Sequence, residues 1–194
     1  MKEQLQKDFD NSIKNLSLSQ KDIEIKKFCL DNFIDKGFPN RKEEDWKFSD
    51  LNQIIKNNIG ELSFYNDQTS TNKVDTSVFV DGLEHNKIVF INGRIEKIDF
   101  EYEKKDQIEI IDQSETINEF KNSNSLSDLN NAFTNKCFKI LVKKGYQLVK
   151  PLIIYHTTNS KIWSKNINLR LNFELDKDSS CLLYTSDAAD DWQG

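Results

Sequence analysis

The sequence predicts an α+β chain, with a small helical domain at the N-terminus and a mainly β portion after it. Ile25, Phe28, Cys29 and Phe33 recur at helical spacing. Tyr65 to Thr76 is rich in Asn, Asp, Thr and Ser and offers little to bury, as a linker would. Beyond it the apolar period becomes two, most clearly where Ile167, Leu169, Leu171, Phe173 and Leu175 alternate with polar residues.

The first helix begins after Ser19, which can cap it, with Asp22 three residues on. Gly37 and Pro39 end it, because glycine tolerates the left-handed backbone that follows a helix and proline cannot continue the hydrogen-bond ladder. A shorter helix from Ser49 to Lys56 would bury Leu51, Ile54 and Ile55. The apolar run Ile88 to Ile91 is a buried strand closed by the turn signal Asn92-Gly93. Ile108 to Ile111, Phe138 to Val142 and Leu152 to Tyr155 read as further strands, separated by polar turns without convincing amphipathic helices. Strands without intervening helices leave a sandwich, a barrel or a parallel β-helix.

At 194 residues, with 37% hydrophobic and 30% charged residues, the chain has room for one good-sized core or a small domain and part of another. It carries 27 basic and 32 acidic residues, a net charge of −5, so no positive field draws in nucleic acid. Met1 to Asn15 lacks the apolar stretch of a signal peptide, and no segment has the length of apolar sequence that a membrane helix needs. Cys29, Cys137 and Cys181 lie far apart, without the close pairs of zinc sites or disulfide frameworks, which fits a reducing, cytoplasmic setting.

Few residues invite a catalytic reading. Cys29 falls on the apolar face of the first helix, where a thiol behaves as a small hydrophobe. Cys137 has no neighbouring ligand in sequence. His85 and His156 are distant from each other and read as surface residues. Glu43, Glu44 and Asp45 point in different directions and decorate a helix start. The pairs Lys104-Lys105 and Lys143-Lys144 read as solvated turns. No Gly-rich phosphate loop and no nucleophile-base spacing stands out. Trp46 is the expected anchor, its burial fixing the second helix on the first.

The run Gly37-Phe-Pro-Asn-Arg-Lys-Glu-Glu-Asp-Trp-Lys-Phe-Ser-Asp-Leu51, with Gly37, Pro39, Glu44, Trp46 and Lys47, resembles a motif of the SufB/SufD family of iron-sulfur cluster assembly proteins. Three more matches follow in the family's order. They are Val89-Phe-Ile-Asn-Gly93, with Asn92; Leu129-Asn-Asn-Ala-Phe133, with Asn130 and Ala132; and Gly145 followed by Pro151-Leu-Ile-Ile. The Trp-Lys motif and the helical N-terminal region are closer to the SufD branch than to the SufB branch. One departure is Lys136-Cys137, where relatives carry Asp-Gly after the Ala-Phe pair.

The resemblance implies an N-terminal helical domain with linker over 1–75 and the first part of a right-handed parallel β-helix over 76–180. It implies a scaffold subunit that pairs with SufB-like and SufC-like proteins, the latter the ATPase, without catalytic, metal or cofactor residues of its own. The cluster would be built transiently by the intact complex. A β-helix enzyme acting on polysaccharide is the alternative that the architecture alone would suggest. From Cys181 the sequence Cys-Leu-Leu-Tyr-Thr-Ser-Asp-Ala-Ala-Asp-Asp is similar to the translation of a transposon-end sequencing adapter, so 181–194 is expected to be non-native and the native chain longer.

Overall fold

The computed structural model describes residues 2–14, 16, 18–58, 62–64, 73–113, 124–159, 162 and 165–187. The expected linker up to residue 72 and residues 188–194 of the tail expected from 181 onward lie outside them, while 181–187 of that tail are described. By backbone contacts the chain divides into two units, a helical one made of 1–66, 113–137 and 164–170, and a β one made of 67–112, 138–163 and 171–194.

In the helical unit, α1 (Lys2–Ile13) buries Leu5 and Phe9, one helical turn apart. Helix α2 (Gln20–Lys36) starts where expected. Ser19 is its N-cap, with its side chain accepting from the Asp22 amide, and Gly37 closes it at φ 72°, its N–H returning to the Phe33 carbonyl. Its buried face is Asp22, Lys26, Cys29, Leu30 and Phe33, so two charged groups share the inner side, while Phe28 is 65% exposed. A 3-10 turn at Glu44–Trp46 leads to α3 (Leu51–Asn58), which lays Leu51 and Ile55 on the core but leaves Ile54 largely exposed. Helix α4 (Ser125–Phe133), capped by the Asn124 side chain on the Ser127 amide, contributes Leu129, Ala132 and Phe133 to the same core. Phe133 stacks on Phe64, ring centroids 3.6 Å apart, and meets Phe9 edge-on at 6.2 Å.

The β unit corrects the expectation of a parallel β-helix. Strands β1 (Asn86–Ile91), β2 (Arg94–Asp99), β5 (Leu152–Thr157) and β7 (Leu183–Asp187) form one sheet in the order β2-β1-β5-β7. Strands β3 (Ile108–Asp112), β4 (Lys136–Val142) and β6 (Leu169–Leu175) form a second sheet in the order β3-β4-β6. Pairing of β1 with β5 and of β5 with β7 is parallel, but β1 with β2 and β3 with β4 are antiparallel. Two small mixed sheets therefore replace the first part of a solenoid. The reason lies in the turn: Asn92 and Gly93 have φ 51° and 80°, the double left-handed geometry whose twist folds a strand back on itself. The signal read as the end of one strand is the tip of a hairpin. Helix α4, standing between β3 and β4, also corrects the reading of strands separated only by turns.

β1 and β5 are continuous apolar runs because both of their faces are covered. Val89, Ile91, Ile153 and Tyr155 form a cluster with Val74 and Phe79 on one face, and the alternate residue Phe90 meets Phe138 at 5.9 Å on the other. In β4 Phe138, Ile140 and Val142 are buried in alternation. β6, the clearest alternation in the sequence, leaves Phe173 and Leu175 exposed. Lys136 begins β4 and neither it nor Cys137 has positive φ, so the departure at Lys136-Cys137 carries no strain.

Candidate functional site

The motif residues occupy turns and core positions. Gly37 caps α2, and its carbonyl accepts from the Ser125 hydroxyl at the start of α4, tying the two helices. A Cβ placed on Gly37 meets nothing within 4 Å, so only backbone strain opposes it. With ψ at −167° this backbone is open essentially to glycine alone, and we expect Gly37→Ala to cost about 1 to 3 kcal/mol, read as a lower denaturation midpoint.

Pro39 is buried beside Phe38, whose ring packs edge-on against Phe33 at 5.0 Å. Glu44 is exposed, and Lys47 lies 5.9 Å from the ring of Phe48, itself 91% exposed. Trp46 is only half-buried, so it is not the anchor foreseen; Phe133 fills that place. A one-turn 3-10 segment has too little surface to bury an indole fully, whereas a helix end facing two others does. Asn130 donates to the Leu169 carbonyl at 3.3 Å, while Ala132 is fully enclosed.

In the β unit Asn92 exchanges hydrogen bonds with Asn159, at 2.9 and 3.1 Å, and its N–H reaches the Thr157 carbonyl at 3.0 Å, which fixes the hairpin tip next to the end of β5. Gly145 has φ 71° and donates to Lys177 at 2.9 Å. The Pro151 carbonyl accepts from the Asn86 amide at 2.8 Å, setting the β1–β5 register.

Three polar networks escaped the sequence reading. Lys26 is 2% exposed, and its ammonium donates to the carbonyls of Asn131, Ala132 and Thr134 at 3.3, 3.3 and 2.5 Å, capping the C-terminal end of α4. Burial pushes its pKa down to about 8, against the pull of Cys29 and Asp22. Beside it, burial and the Asp128 carboxylate push the Cys29 thiol up to about 11, which keeps it protonated and unreactive. On α4, Asp128 is fully buried and accepts from Lys36 at 3.2 Å.

Glu103 clasps the turn before β5. Its carboxylate accepts from Asn86 Nδ2 at 2.6 Å, from the Tyr146 hydroxyl at 2.7 Å, and from the Val149 and Lys150 amides at 3.1 Å. Partial burial pushes its pKa up, but these bonds outweigh it and hold the carboxyl below the usual range. A depressed folded pKa means that the stabilisation is present above the unfolded glutamate value and lost as pH falls through the folded one. Glu103→Gln should cost about 1 to 3 kcal/mol at neutral pH, and the gap to the parent should close on acidification toward pH 3, followed by denaturant unfolding.

His85, read as a surface residue, is buried against Tyr155. The signal available was its place immediately before an apolar strand, where a side chain has a core face to choose. His156 stacks on Phe90 with centroids 5.0 Å apart. Among the described residues, no group of three or more His, Cys, Asp or Glu stands where it could hold a metal ion, and no helix is long and apolar enough to cross a membrane. A pocket of about 500 Å³ lined by Ile98, Phe100, Glu101, Lys104 and Asp106 opens between the end of β2 and the start of β3.

Compared with known proteins, the chain matches no family model and no curated protein.

Proposed function

We propose that this chain is a scaffold subunit of an iron-sulfur cluster assembly complex, of the SufD type, working with SufB-like and SufC-like partners and doing no chemistry itself. The observation that carries the reading is the set of four ordered sequence matches, from Gly37 through Asn92-Gly93 and Phe133 to Gly145 and Pro151. What supports a structural role for them is where they fall. Gly37, Asn92, Gly93 and Gly145 hold left-handed turns, and Ala132 and Phe133 fill a core. Residues fixed by backbone geometry and packing describe an architecture that presents surfaces, not a reaction centre.

In this reading the cluster is cargo of the assembled complex, the chain holds no resident cofactor, and nucleic acid and membrane are not its partners. Its setting is the reducing cytoplasm. The test is affinity capture of the tagged full-length gene product from its own cells. Recovery of SufB-like and SufC-like proteins is the expected result, and a SufD-like partner in place of a SufB-like one would move the chain to the sister branch. Recovery of neither, from a folded bait, would end the proposal.

A further inference from the structure

His85 is 2% exposed and Tyr155 is fully buried. The ring nitrogen Nδ1 lies 2.6 Å from the Leu83 carbonyl, Nε2 lies 2.7 Å from the Tyr155 hydroxyl, and that hydroxyl accepts from the Val80 amide at 3.1 Å. One proton arrangement uses every group: Val80 N–H donates to Tyr155 Oη, Oη–H donates to Nε2, and Nδ1–H donates to Leu83. The imidazole is then neutral. The network fastens residues 80–85 onto β5. Just upstream, Val74 and Phe79 lie on Val89, Ile91, Ile153 and Tyr155, with the Phe79 and Tyr155 rings 4.8 Å apart. Residues 74–85 thus cover an apolar face of the β1–β5 pair and are held there by a histidine.

A second proton on the ring must go to Nε2, the only acceptor it has. Tyr155 Oη would then face two N–H donors, and its own proton would lose its acceptor in a site closed to water, an uncompensated cost. The charged neighbours do not offset it. Lys87 places its ammonium 3.2 Å from the His85 carbonyl oxygen. Asp99 is already shared between Lys87 at 3.9 Å and Lys97 at 3.1 Å, and Lys97 stands 5.9 Å from the Phe79 ring centroid. The Glu84 carboxylate is engaged by Lys150 at 2.7 Å. The imidazolium is better accommodated with the segment lifted and the ring in water. We infer that His85 and Tyr155 form an acid-released latch, in which protonation of His85 lets residues 74–85 come off the sheet and uncovers its apolar face.

The test is amide hydrogen exchange by NMR on the full chain between pH 7.5 and 5.5, together with the ring ¹⁵N shifts of His85. The protection factor of Val80 should fall by about tenfold, with the midpoint at which the His85 ring titrates. Asn92, whose N–H donates to Thr157 at the hairpin tip, outside residues 74–85, should keep its protection. His85→Gln, which keeps an acceptor for Tyr155 but does not titrate, should flatten the Val80 response; if that variant does not fold, the coincidence of midpoints in the parent decides alone. Constant Val80 protection, a midpoint apart from that of His85, or an equal loss at Asn92 would overturn the latch.

Discussion

Phe133→Ala is expected to destabilise the helical unit by about 3 to 5 kcal/mol. The ring is 2% exposed, stacks on Phe64 and meets Phe9 edge-on, so truncation opens a cavity shared by α1, α4 and the segment at Phe64. The core has little to refill it, because its other members are held by their own helices. Phe133→Leu, which keeps most of the volume, should recover more than half of the loss, since it forfeits mainly the ring contacts. Equilibrium unfolding in urea checks both. An alanine variant as stable as its parent would mean that this ring is not the anchor.

The second large effect is a dependence on pH opposite in sign to that of an ordinary surface lysine. The folded Lys26 ammonium titrates at about 8, while the unfolded side chain keeps the ordinary lysine value of 10.5. Above pH 8 the folded chain has lost this proton and the unfolded chain still holds it, so the unfolded state binds more protons and stability rises with pH across the window from 8 to 10.5. The neutral amine still has two N–H groups for the three carbonyls, so most of the cap survives the change. The gain approaches about 3 kcal/mol. Other groups titrate in the same range, so the measured quantity is the difference between the parent and Lys26→Met, unfolded in urea at pH 7.5 and at pH 10. That difference should shift toward the parent by most of this amount as pH is raised. A difference constant between the two pH values would show that burial does not depress this ammonium.

These two residues mark what sequence could and could not disclose. Features set by neighbours in the chain were legible. Ser19 caps α2 and Gly37 ends it, Asn92-Gly93 turns, and the run at Ile88 to Ile91 is a strand, because each follows from local backbone chemistry. α1 gives little sequence signal although Leu5 and Phe9 stand one turn apart, since polar residues surround them. Lys26 and Asp22 lie on the buried face of α2, where a lysine and an aspartate argue for solvent unless one knows that the carbonyls of residues 131, 132 and 134 wait there for Lys26; that information is more than 100 residues away. The same periodicity places Phe28 inward, yet it faces out.

The architecture of the β unit is what the sequence discloses least. Alternation tells which residues share a face of a strand and is silent on which strand lies alongside and in which direction. β6 has the best alternation in the chain and an exposed end, while β1 and β5, buried on both faces, show hardly any. The resemblance supplied a direction for every strand, and the Asn92-Gly93 hairpin reversed one of them. At the motif positions the turns at Gly37 and Asn92-Gly93 follow from local backbone chemistry, while the anchoring of Phe133 on Phe64 and Phe9 depends on residues far along the chain. His85, which the sequence offered as a lone polar residue, gained its meaning from Tyr155, 70 residues on.

The proposal that this chain works by holding partners is tested most directly by native mass spectrometry of the purified full-length gene product mixed with SufB-like and SufC-like proteins from the same cells. The account predicts a stoichiometric complex containing all three, retained in Lys26→Met and weakened in Phe133→Ala in proportion to its loss of folded unit. A folded chain that stays free of both proteins at micromolar concentration would contradict it.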